Sequence, residues 1–261
     1  MEYQEYCALI QKRYKPLHRH LFTLREEMFV PSLVQAVRAK HPDALRKLCT
    51  EVHPGIYVFD MLAPRFRTDL LEELAYFERW CGDNGLPLLR PNTMNNYGAV
   101  LDTFGFQAML QQLMVEYVMP FASLFYRDVG GDALDSHHGF VVEYKPGKDV
   151  SLDFHVDASD VTLNVCLGKE FTGGELFFRG VRCGVCQQTE TLPSEEFQIV
   201  HVPGRAILHR GRHRHGAHPI LGGERYNLIL WCNSSRYDGR HDKTHDPAFC
   251  GWPEPEAVAG G

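Results

Sequence analysis

Four residues in the second half of the chain could together perform oxidative chemistry. His155 and Asp157 lie two residues apart, and His215 is followed ten residues later by Arg225. Two imidazoles and one carboxylate can bind one face of Fe(II), which leaves positions open for a cosubstrate and dioxygen. A nearby guanidinium can hold the far carboxylate of 2-oxoglutarate through two parallel hydrogen bonds. We therefore predict a non-haem iron enzyme that oxidises a substrate with O2.

The triplet His155-Val156-Asp157 does not by itself identify a metal site, because the chain has a second His-x-Asp triplet, His41-Pro42-Asp43. That triplet lies in a helical region that Pro42 interrupts, so a surface loop explains it. His155-Val156-Asp157 instead precedes the most regular predicted strand. Residues i and i+2 of a strand share a face about 7 Å apart, so the imidazole and the carboxylate can reach one ion. The alternative interpretation is a buried or surface histidine.

The distal histidine has competitors, because His209 and His213 lie in the same segment. Arginines between residues 205 and 225 also allow this segment to be a basic surface patch. Among the 14 histidines, only His215 has an arginine ten residues downstream. Gly222-Gly223 supplies a tight turn before that arginine. We predict His215 as the ligand, with His209 and His213 as the alternatives.

Helical patterns occupy the first half of the chain. Residues 1–50 predict a few short helices separated by prolines. Pro64 begins a stronger helix that Gly82 ends. A second apolar stripe at about 107–125 predicts another helix, with a kink at Pro120. Both stripes are typical of faces that pack into a protein core.

From about residue 137 the apolar period becomes that of strands, with Pro-Gly and Gly-Gly turns between short runs. The run at 161–167 alternates strictly, so Thr162 and Asn164 face away from the core side. In the last run Arg225 and Asn227 share a face, which allows Arg225 to point into a cavity. Helices followed by short strands with tight turns predict an α+β fold whose core is a sandwich, a barrel or a jelly roll.

Composition sets limits on the partners of the chain. A net charge of -6 gives no global attraction to nucleic acid or to anionic lipid. No apolar run is long enough for a membrane span, and the first residues lack the pattern of a secretory signal. We expect a cytoplasmic or nuclear protein without a membrane partner, and the oligomeric state is not predicted.

The 8 cysteines are scattered, and we expect thiols rather than disulfides. Cys183 and Cys186 form one C-x-x-C, but a structural zinc ion would need a second pair. Cys232 and Cys250 are eighteen residues apart, which is a poor match to such a pair. The sequence therefore favours two thiols in a loop, and zinc is the alternative.

Several motifs occur together in the second half of the chain. They are F-V-V-E-Y-K-P at 140–146, H-V-D-A-S at 155–159, F-T-G-G-E-L-F-F at 171–178, H-G-A-H-P at 215–219 and G-E-R-Y-N-L-I-L-W at 223–231. These motifs are similar to those of procollagen lysyl hydroxylase catalytic domains. The chain thus resembles the Fe(II)- and 2-oxoglutarate-dependent dioxygenases, in the branch of prolyl and lysyl hydroxylases, from about residue 90 to residue 231.

The resemblance implies a hydroxylase that releases succinate and CO2 while it oxidises a lysyl or prolyl side chain of a protein or peptide. It implies Fe(II), 2-oxoglutarate and O2 as cofactor and cosubstrates, and ascorbate as a further reductant. The positions that match the iron ligands and catalytic centre are His155, Asp157 and His215.

The resemblance also carries over to cosubstrate binding. Arg225 falls on the basic residue that binds the C5 carboxylate of 2-oxoglutarate. Tyr144 and Asn164 fall near positions that contact the cosubstrate. For these two residues a core tyrosine and an asparagine that satisfies backbone groups are the alternatives.

We expect a helical N-terminal segment at 1–53 and a dioxygenase domain at 54–261. Within that domain helices at 64–125 would support a jelly-roll core at 137–235. Two other functions stay open. One is a catalytically silent jelly-roll binding module, and the other is an oxygenase that binds nucleic acid through the arginines at 205–225. The presence of all four residues of the predicted site favours an enzyme.

Overall fold

In the computed structural model, which describes residues 2–237 and 250–252, six α-helices lie in the first half of the chain. They are α1 (Tyr3–Arg13), α2 (Pro31–Arg38), α3 (Pro42–Leu48), α4 (Pro64–Asp83), α5 (Gln107–Leu113) and α6 (Met119–Phe125). Three of them begin at a proline, whose fixed φ suits a first helical turn. None of the described helices is both long and apolar enough to cross a lipid bilayer. The parts of the predicted domain at 238–249 and 253–261 lie outside the described residues.

The predicted helix at 107–125 is interrupted. α5 passes into a π-helical turn at Met114–Val118, and α6 follows with Pro120 in its first turn. Proline lacks the backbone N–H that would continue regular α-helical bonding. The helix is thus interrupted directly before Pro120, the position of the predicted kink.

Thirteen strands of the described residues form three antiparallel sheets. They are β1 (Thr50–His53), β2 (Ile56–Asp60), β3 (Gly98–Val100), β4 (Ser136–Tyr144), β5 (Leu152–His155), β6 (Val161–Gly168), β7 (Phe171–Gly173), β8 (Leu176–Val181), β9 (Glu196–Ile199), β10 (Arg205–Arg210), β11 (His213–Ala217), β12 (Ile220–Gly223) and β13 (Arg225–Asn233). The large sheet has the order β1-β2-β10-β6-β13-β4-β3. A four-stranded sheet has the order β5-β11-β8-β9, and β12 pairs with β7.

The main hydrophobic core lies between the helices and the large sheet. Val161, Leu163 and Val165 of β6 are fully buried in it, together with helical side chains such as Phe77 and Leu110. The strict alternation predicted for β6 is confirmed. The apolar side chains of this strand pack against the helices, whereas its polar side chains face a cavity on the opposite side.

The N-terminal helices pack into the same core as the rest of the described chain. Ile10 of α1 and Leu33 of α2 are fully buried there. β1 and β2 flank the predicted boundary near residue 54 and form an antiparallel pair. The segment before residue 54 is thus joined to the large sheet by hydrogen bonds as well as by packing.

The sequence predicts six strands, at 138–144, 161–167, 175–178, 197–201, 205–208 and 225–231, and all six are confirmed as β4, β6, β8, β9, β10 and β13. β5 and β11 were not expected, although they position the predicted ligands. The sequence of β5, L-D-F-H, alternates over only four residues, which is too short to identify a strand, and H-R-H-G-A of β11 has no apolar residue before Ala217. Both become strands because they pair with each other, and β11 pairs also with β8.

Candidate metal centre

β5 and β11 bring the two predicted histidine ligands together. His155 is the last residue of β5 and lies directly opposite His215 of β11. Asp157 Oδ1 lies 3.4 Å from His155 Nε2, and Asp157 Oδ2 lies 3.6 Å from His215 Nε2. One potential ligand atom from each of the three side chains lies within 4.8 Å of the other two. The three side chains therefore surround one position that a metal ion could occupy.

Asp157 reaches this position because the chain turns sharply after β5. Its backbone N–H donates to Gly211 O at 2.9 Å, in the turn between β10 and β11. A Cβ atom at Gly211 would lie 1.8 Å from Ser159 O, so only glycine allows the two turns to approach this closely. The glycine thus places the carboxylate beside the strand that carries His215.

Each histidine ring is oriented by a backbone carbonyl group of its own strand. His155 Nδ1 lies 2.7 Å from Asp153 O, and His215 Nδ1 lies 2.7 Å from His213 O. A carbonyl oxygen only accepts hydrogen bonds, so both Nδ1 atoms donate and both Nε2 atoms present a lone pair. Burial lowers the pKa of His215 to about 3, which keeps its ring neutral. This donor set fits a divalent transition-metal ion.

The carboxylate of Asp157 is oriented by two hydroxyl groups. Thr162 Oγ1 donates to Asp157 Oδ2 at 2.6 Å, and Ser159 Oγ lies 2.7 Å from Thr162 Oγ1. Because Thr162 uses its only proton on the carboxylate, Ser159 donates to Thr162. The chain of hydroxyl groups fixes a carboxylate that is itself buried.

The competing histidines lie close to this position but outside the ligand group, and the centroids of the His209 and His215 rings are 4.8 Å apart. His209 and His213 do not belong to the group of ligand atoms that surrounds the position described above. His209 Nδ1 lies 2.8 Å from Arg210 O, and the His213 ring packs against Phe178 with 4.9 Å between centroids. The side chain of His41, in the second His-x-Asp triplet, is 67% exposed. A surface position therefore accounts for that triplet.

Arg225 lines one cavity with the three candidate ligands. It begins β13 and is buried, and its guanidinium carbon lies 4.4 Å from the centroid of the Tyr144 ring. Nη1 donates to Gly174 O, whereas the Nε–H group has no hydrogen-bond partner within the described chain. Burial lowers the pKa of Arg225, although the charges of Tyr144, Cys166 and Glu175 oppose this shift. No carboxylate of residues 2–237 or 250–252 forms an ion pair with the guanidinium.

The other two predicted positions also line this cavity. Tyr144 OH accepts a hydrogen bond from Asn95 Nδ2 at 3.1 Å. Asn164 Oδ1 accepts a hydrogen bond from Asn227 Nδ2 at 2.6 Å. Both side chains therefore bond to other side chains at the cavity wall, so Asn164 does not serve mainly to satisfy a backbone group.

His201 lines the cavity too, and the sequence analysis missed it. Its Nδ1 lies 3.2 Å from Asn227 Nδ2. Burial, and then the charge of Arg225, lower the pKa of His201 well below its usual range. His201 lies in the segment V-H-V-P, where no second polar residue at strand or motif spacing indicates a site. The position of its partner Asn227 was predictable, because Asn227 lies two residues after Arg225 on the same strand face.

The arginines at 205–225 do not form an exposed basic patch. Arg214 and Arg225 are buried. Arg205 Nε lies 3.1 Å from Asp60 Oδ1, and Arg210 Nη2 lies 2.8 Å from Asp128 Oδ2. Four of the arginines that suggested phosphate binding are thus buried or paired.

The chain is similar in sequence to proteins that are named as iron-dependent oxygenases, which agrees with the arrangement of the three candidate ligands. Residues 10–131 match the sequence family described as the OGFOD2-like domain. The chain is 41% identical over 239 residues to 2-oxoglutarate and iron-dependent oxygenase domain-containing protein 2 of Danio rerio. The match covers 89% of the chain and 67% of that protein. The chain belongs to this family. The names of these relatives describe them as 2-oxoglutarate and iron-dependent oxygenases, which confirms the predicted resemblance.

The chain is also 49% identical over 251 residues to 2-oxoglutarate and iron-dependent oxygenase domain-containing protein CP2 of Arabidopsis thaliana. This match covers 96% of the chain but spans only 63% of the plant protein. A multifunctional procollagen lysine hydroxylase and glycosyltransferase of Caenorhabditis elegans is 28% identical over 188 residues, which are 69% of the chain and 24% of that protein.

A solved structure shares the fold. The prolyl 4-hydroxylase structure from Phytophthora capsici aligns with a TM-score of 0.54 and 15% sequence identity, over 85% of the chain and 72% of the solved chain. At this identity the likeness shows a common fold, in which helices accompany large antiparallel sheets.

Proposed function

We propose that the chain is an Fe(II)- and 2-oxoglutarate-dependent dioxygenase in which His155, Asp157 and His215 hold the iron. One observation carries this proposal: the buried guanidinium of Arg225 lines the same cavity and has no carboxylate partner in the described chain. A buried cation is costly unless an anion pairs with it. The far carboxylate of 2-oxoglutarate would supply that anion through a two-point hydrogen bond.

Bound iron would supply the activation of dioxygen, and 2-oxoglutarate would leave as succinate and CO2. The protein's own residues would position the reactants. We propose that Tyr144 and Asn164 contact the cosubstrate from the cavity wall that they share with Arg225. Phe140, whose side chain is buried, and Trp231 line the same wall, and they would exclude water from the reacting atoms.

We also propose how the sheets form the domain. The large sheet and the four-stranded sheet both contribute residues to the cavity wall, as Asn164 on β6 and His215 on β11 illustrate. Two sheets around one cavity support a double-stranded β-helix as the core of a dioxygenase domain at 54–261. Residues 1–53 would be a helical segment that packs on it.

A protein lysyl or prolyl side chain is the substrate that we propose. The support is the 28% identity to a protein named a procollagen lysine hydroxylase. The pairing of Arg205 and Arg210 with surface carboxylates gives a nucleic-acid substrate no comparable support.

The test is succinate production from 2-oxoglutarate with Fe(II) and ascorbate. We expect the His155→Ala, Asp157→Ala double variant to lose it. The matched control is the His41→Ala, Asp43→Ala double variant, because the same two residue types occur there in an exposed triplet. We expect this control to keep full activity. Equal succinate from the wild type and the His155, Asp157 double variant would support a catalytically silent module instead.

The substrate is tested separately with lysine- and proline-containing peptide libraries. We expect a mass gain of one oxygen atom on one residue type, dependent on 2-oxoglutarate. If succinate forms but no peptide is oxidised, the proposed substrate class is wrong while the oxygenase assignment stands.

A further inference from the structure

Cys183, Cys186 and Cys250 form a second group of metal-ligand atoms. None of the three lines the cavity that contains Arg225. Each is at most 5% exposed, and their sulfur atoms all lie within 4.8 Å of one another. Three thiolates bound at about 2.3 Å to one tetrahedral zinc ion are about 3.8 Å apart. The upper limit of 4.8 Å is therefore compatible with three thiolates around one zinc ion.

The first two cysteines lie in a tight turn after β8. The Cys186 backbone N–H donates to Cys183 O at 3.1 Å, and a 3-10 turn covers Gly184–Cys186. The Thr189 backbone N–H and hydroxyl both donate to Cys186 O, at 3.0 Å and 2.8 Å. This turn holds the two sulfur atoms on the same side of the loop.

The third cysteine comes from the far end of the described chain. The Gly251 backbone N–H donates to Val181 O at 3.2 Å, which holds Cys250 beside the turn. Trp252 packs against the cysteines and under the guanidinium of Arg182, whose carbon lies 5.0 Å from the ring centroid. The sequence spacing between Cys232 and Cys250 hid this approach, because Cys250 joins the C-x-x-C without Cys232.

The charges beside the cysteines favour an anionic group. Arg182 forms two hydrogen bonds to Glu195, with Nη1–Oε1 at 2.5 Å and Nη2–Oε2 at 2.7 Å. Arg214 is also buried, lies 3.9 Å from the same carboxylate and donates to Thr189 O at 2.6 Å. Among the described residues, these two buried cations thus share the carboxylate of Glu195. Three thiolates on a divalent ion carry one net negative charge, which would balance the excess, whereas three neutral thiols would not.

We propose that Cys183, Cys186 and Cys250 bind a structural zinc ion. Thiolates are preferred zinc ligands, whereas the histidine and carboxylate set of the other centre suits iron. The ion would fasten residues 250–252 to the loop between β8 and β9. The described residues supply three ligands, so a tetrahedral ion has one further position. None of the 8 cysteines, all of which are described, forms a disulfide.

The test measures zinc in the purified full chain by mass spectrometry, without added chelator. The His155→Ala, Asp157→Ala background is used because zinc could otherwise occupy the iron position. We expect about one zinc ion per chain in this background, and a loss of at least about ten-fold after Cys250→Ser. Cys232→Ser is the matched control, because Cys232 is equally buried but lies in β13. It should retain the zinc.

Two measurements keep the proposal testable if the Cys250→Ser variant does not fold. X-ray absorption at the zinc edge of the background protein should show three sulfur neighbours at about 2.3 Å. Thiol titration of the chelated, denatured chain should find all 8 cysteines reactive. A shell of nitrogen and oxygen alone, zinc that persists in the Cys250→Ser variant, or a zinc-free chain with a disulfide would each overturn the proposal.

Discussion

Replacement of Arg225 by lysine tests the proposed cosubstrate anchor most directly. Lysine keeps the positive charge but cannot form two parallel hydrogen bonds to one carboxylate. In the wild type the Nε–H group has no partner in the described chain, and Arg225 lines the cavity that the candidate ligands share. A carboxylate that accepts from this group would satisfy an otherwise unpaired buried donor.

The magnitude follows from that unpaired donor. A hydrogen bond to a charged group contributes about 1.5–3 kcal/mol, and an unsatisfied buried donor costs about 1–3 kcal/mol. Loss of one of the two bonds in Arg225→Lys should therefore weaken cosubstrate binding by about 10- to 150-fold, because each 1.4 kcal/mol is about ten-fold in Kd. The residual charge attraction of lysine prevents a complete loss.

The assay is calorimetric titration of N-oxalylglycine, an unreactive analogue of 2-oxoglutarate, into Mn(II)-loaded protein. Arg205→Lys is the matched control, since Arg205 pairs with Asp60 on the surface and its side chain is 40% exposed. Thermal unfolding of both variants checks the fold. An unchanged Kd in a folded Arg225→Lys protein would refute the role of Arg225 as the anchor.

Two further predictions concern oriented carboxylates. Thr162→Val removes the hydroxyl that donates to Asp157 Oδ2, and we expect Mn(II) affinity to fall about 10- to 100-fold; unchanged affinity in calorimetry would contradict this. Burial would raise the pKa of Asp102, but hydrogen bonds from His137 and other groups outweigh burial and lower this pKa from 3.8 to about 2. This carboxylate therefore stabilises the fold above about pH 4 and loses that effect as the pH falls through 2. Asp102→Asn should lower the free energy of unfolding by about 2 kcal/mol at pH 6 and by progressively less in acid. The control variant Asp43→Asn, at an exposed position, should change the free energy of unfolding little. A decrease for Asp102→Asn that is as large at pH 3 as at pH 6 would contradict the stabilising role of this carboxylate.

The parts of the fold that were predictable are those with a strong local pattern. β6 was predictable because one of its faces packs entirely against helices, so apolar residues alternate along it. The location of Arg225 in the cavity followed from the strand face that it shares with Asn227. The period of two therefore identified β6 and the arginine at the start of β13.

β5 and β11 were not predictable in the same way. Both contain charged or imidazole side chains at positions that a half-buried strand would fill with apolar residues. Their β structure comes from cross-strand pairing, which joins His155 to His215 across a long stretch of chain. The polar residues are retained there because they surround one position, so the site itself obscures the strand signal.

Contacts between segments that are distant along the chain were also not predictable from the sequence. His201 joins the cavity and Cys250 joins the C-x-x-C through the path of the chain, and no local pattern encodes either approach. The alternation of exposed and half-buried residues in β9, which precedes His201, also gives no indication of the cavity.

The ring orientation of both candidate histidine ligands depends on main-chain oxygen atoms, those of residues 153 and 213. Every amino acid carries such an oxygen, so the identity of the side chain at these two positions does not determine where the imidazoles point. Homologous proteins can thus diverge at 153 and 213 while they inherit the same coordination geometry. A search for distant members of the family should therefore allow any residue at these two positions.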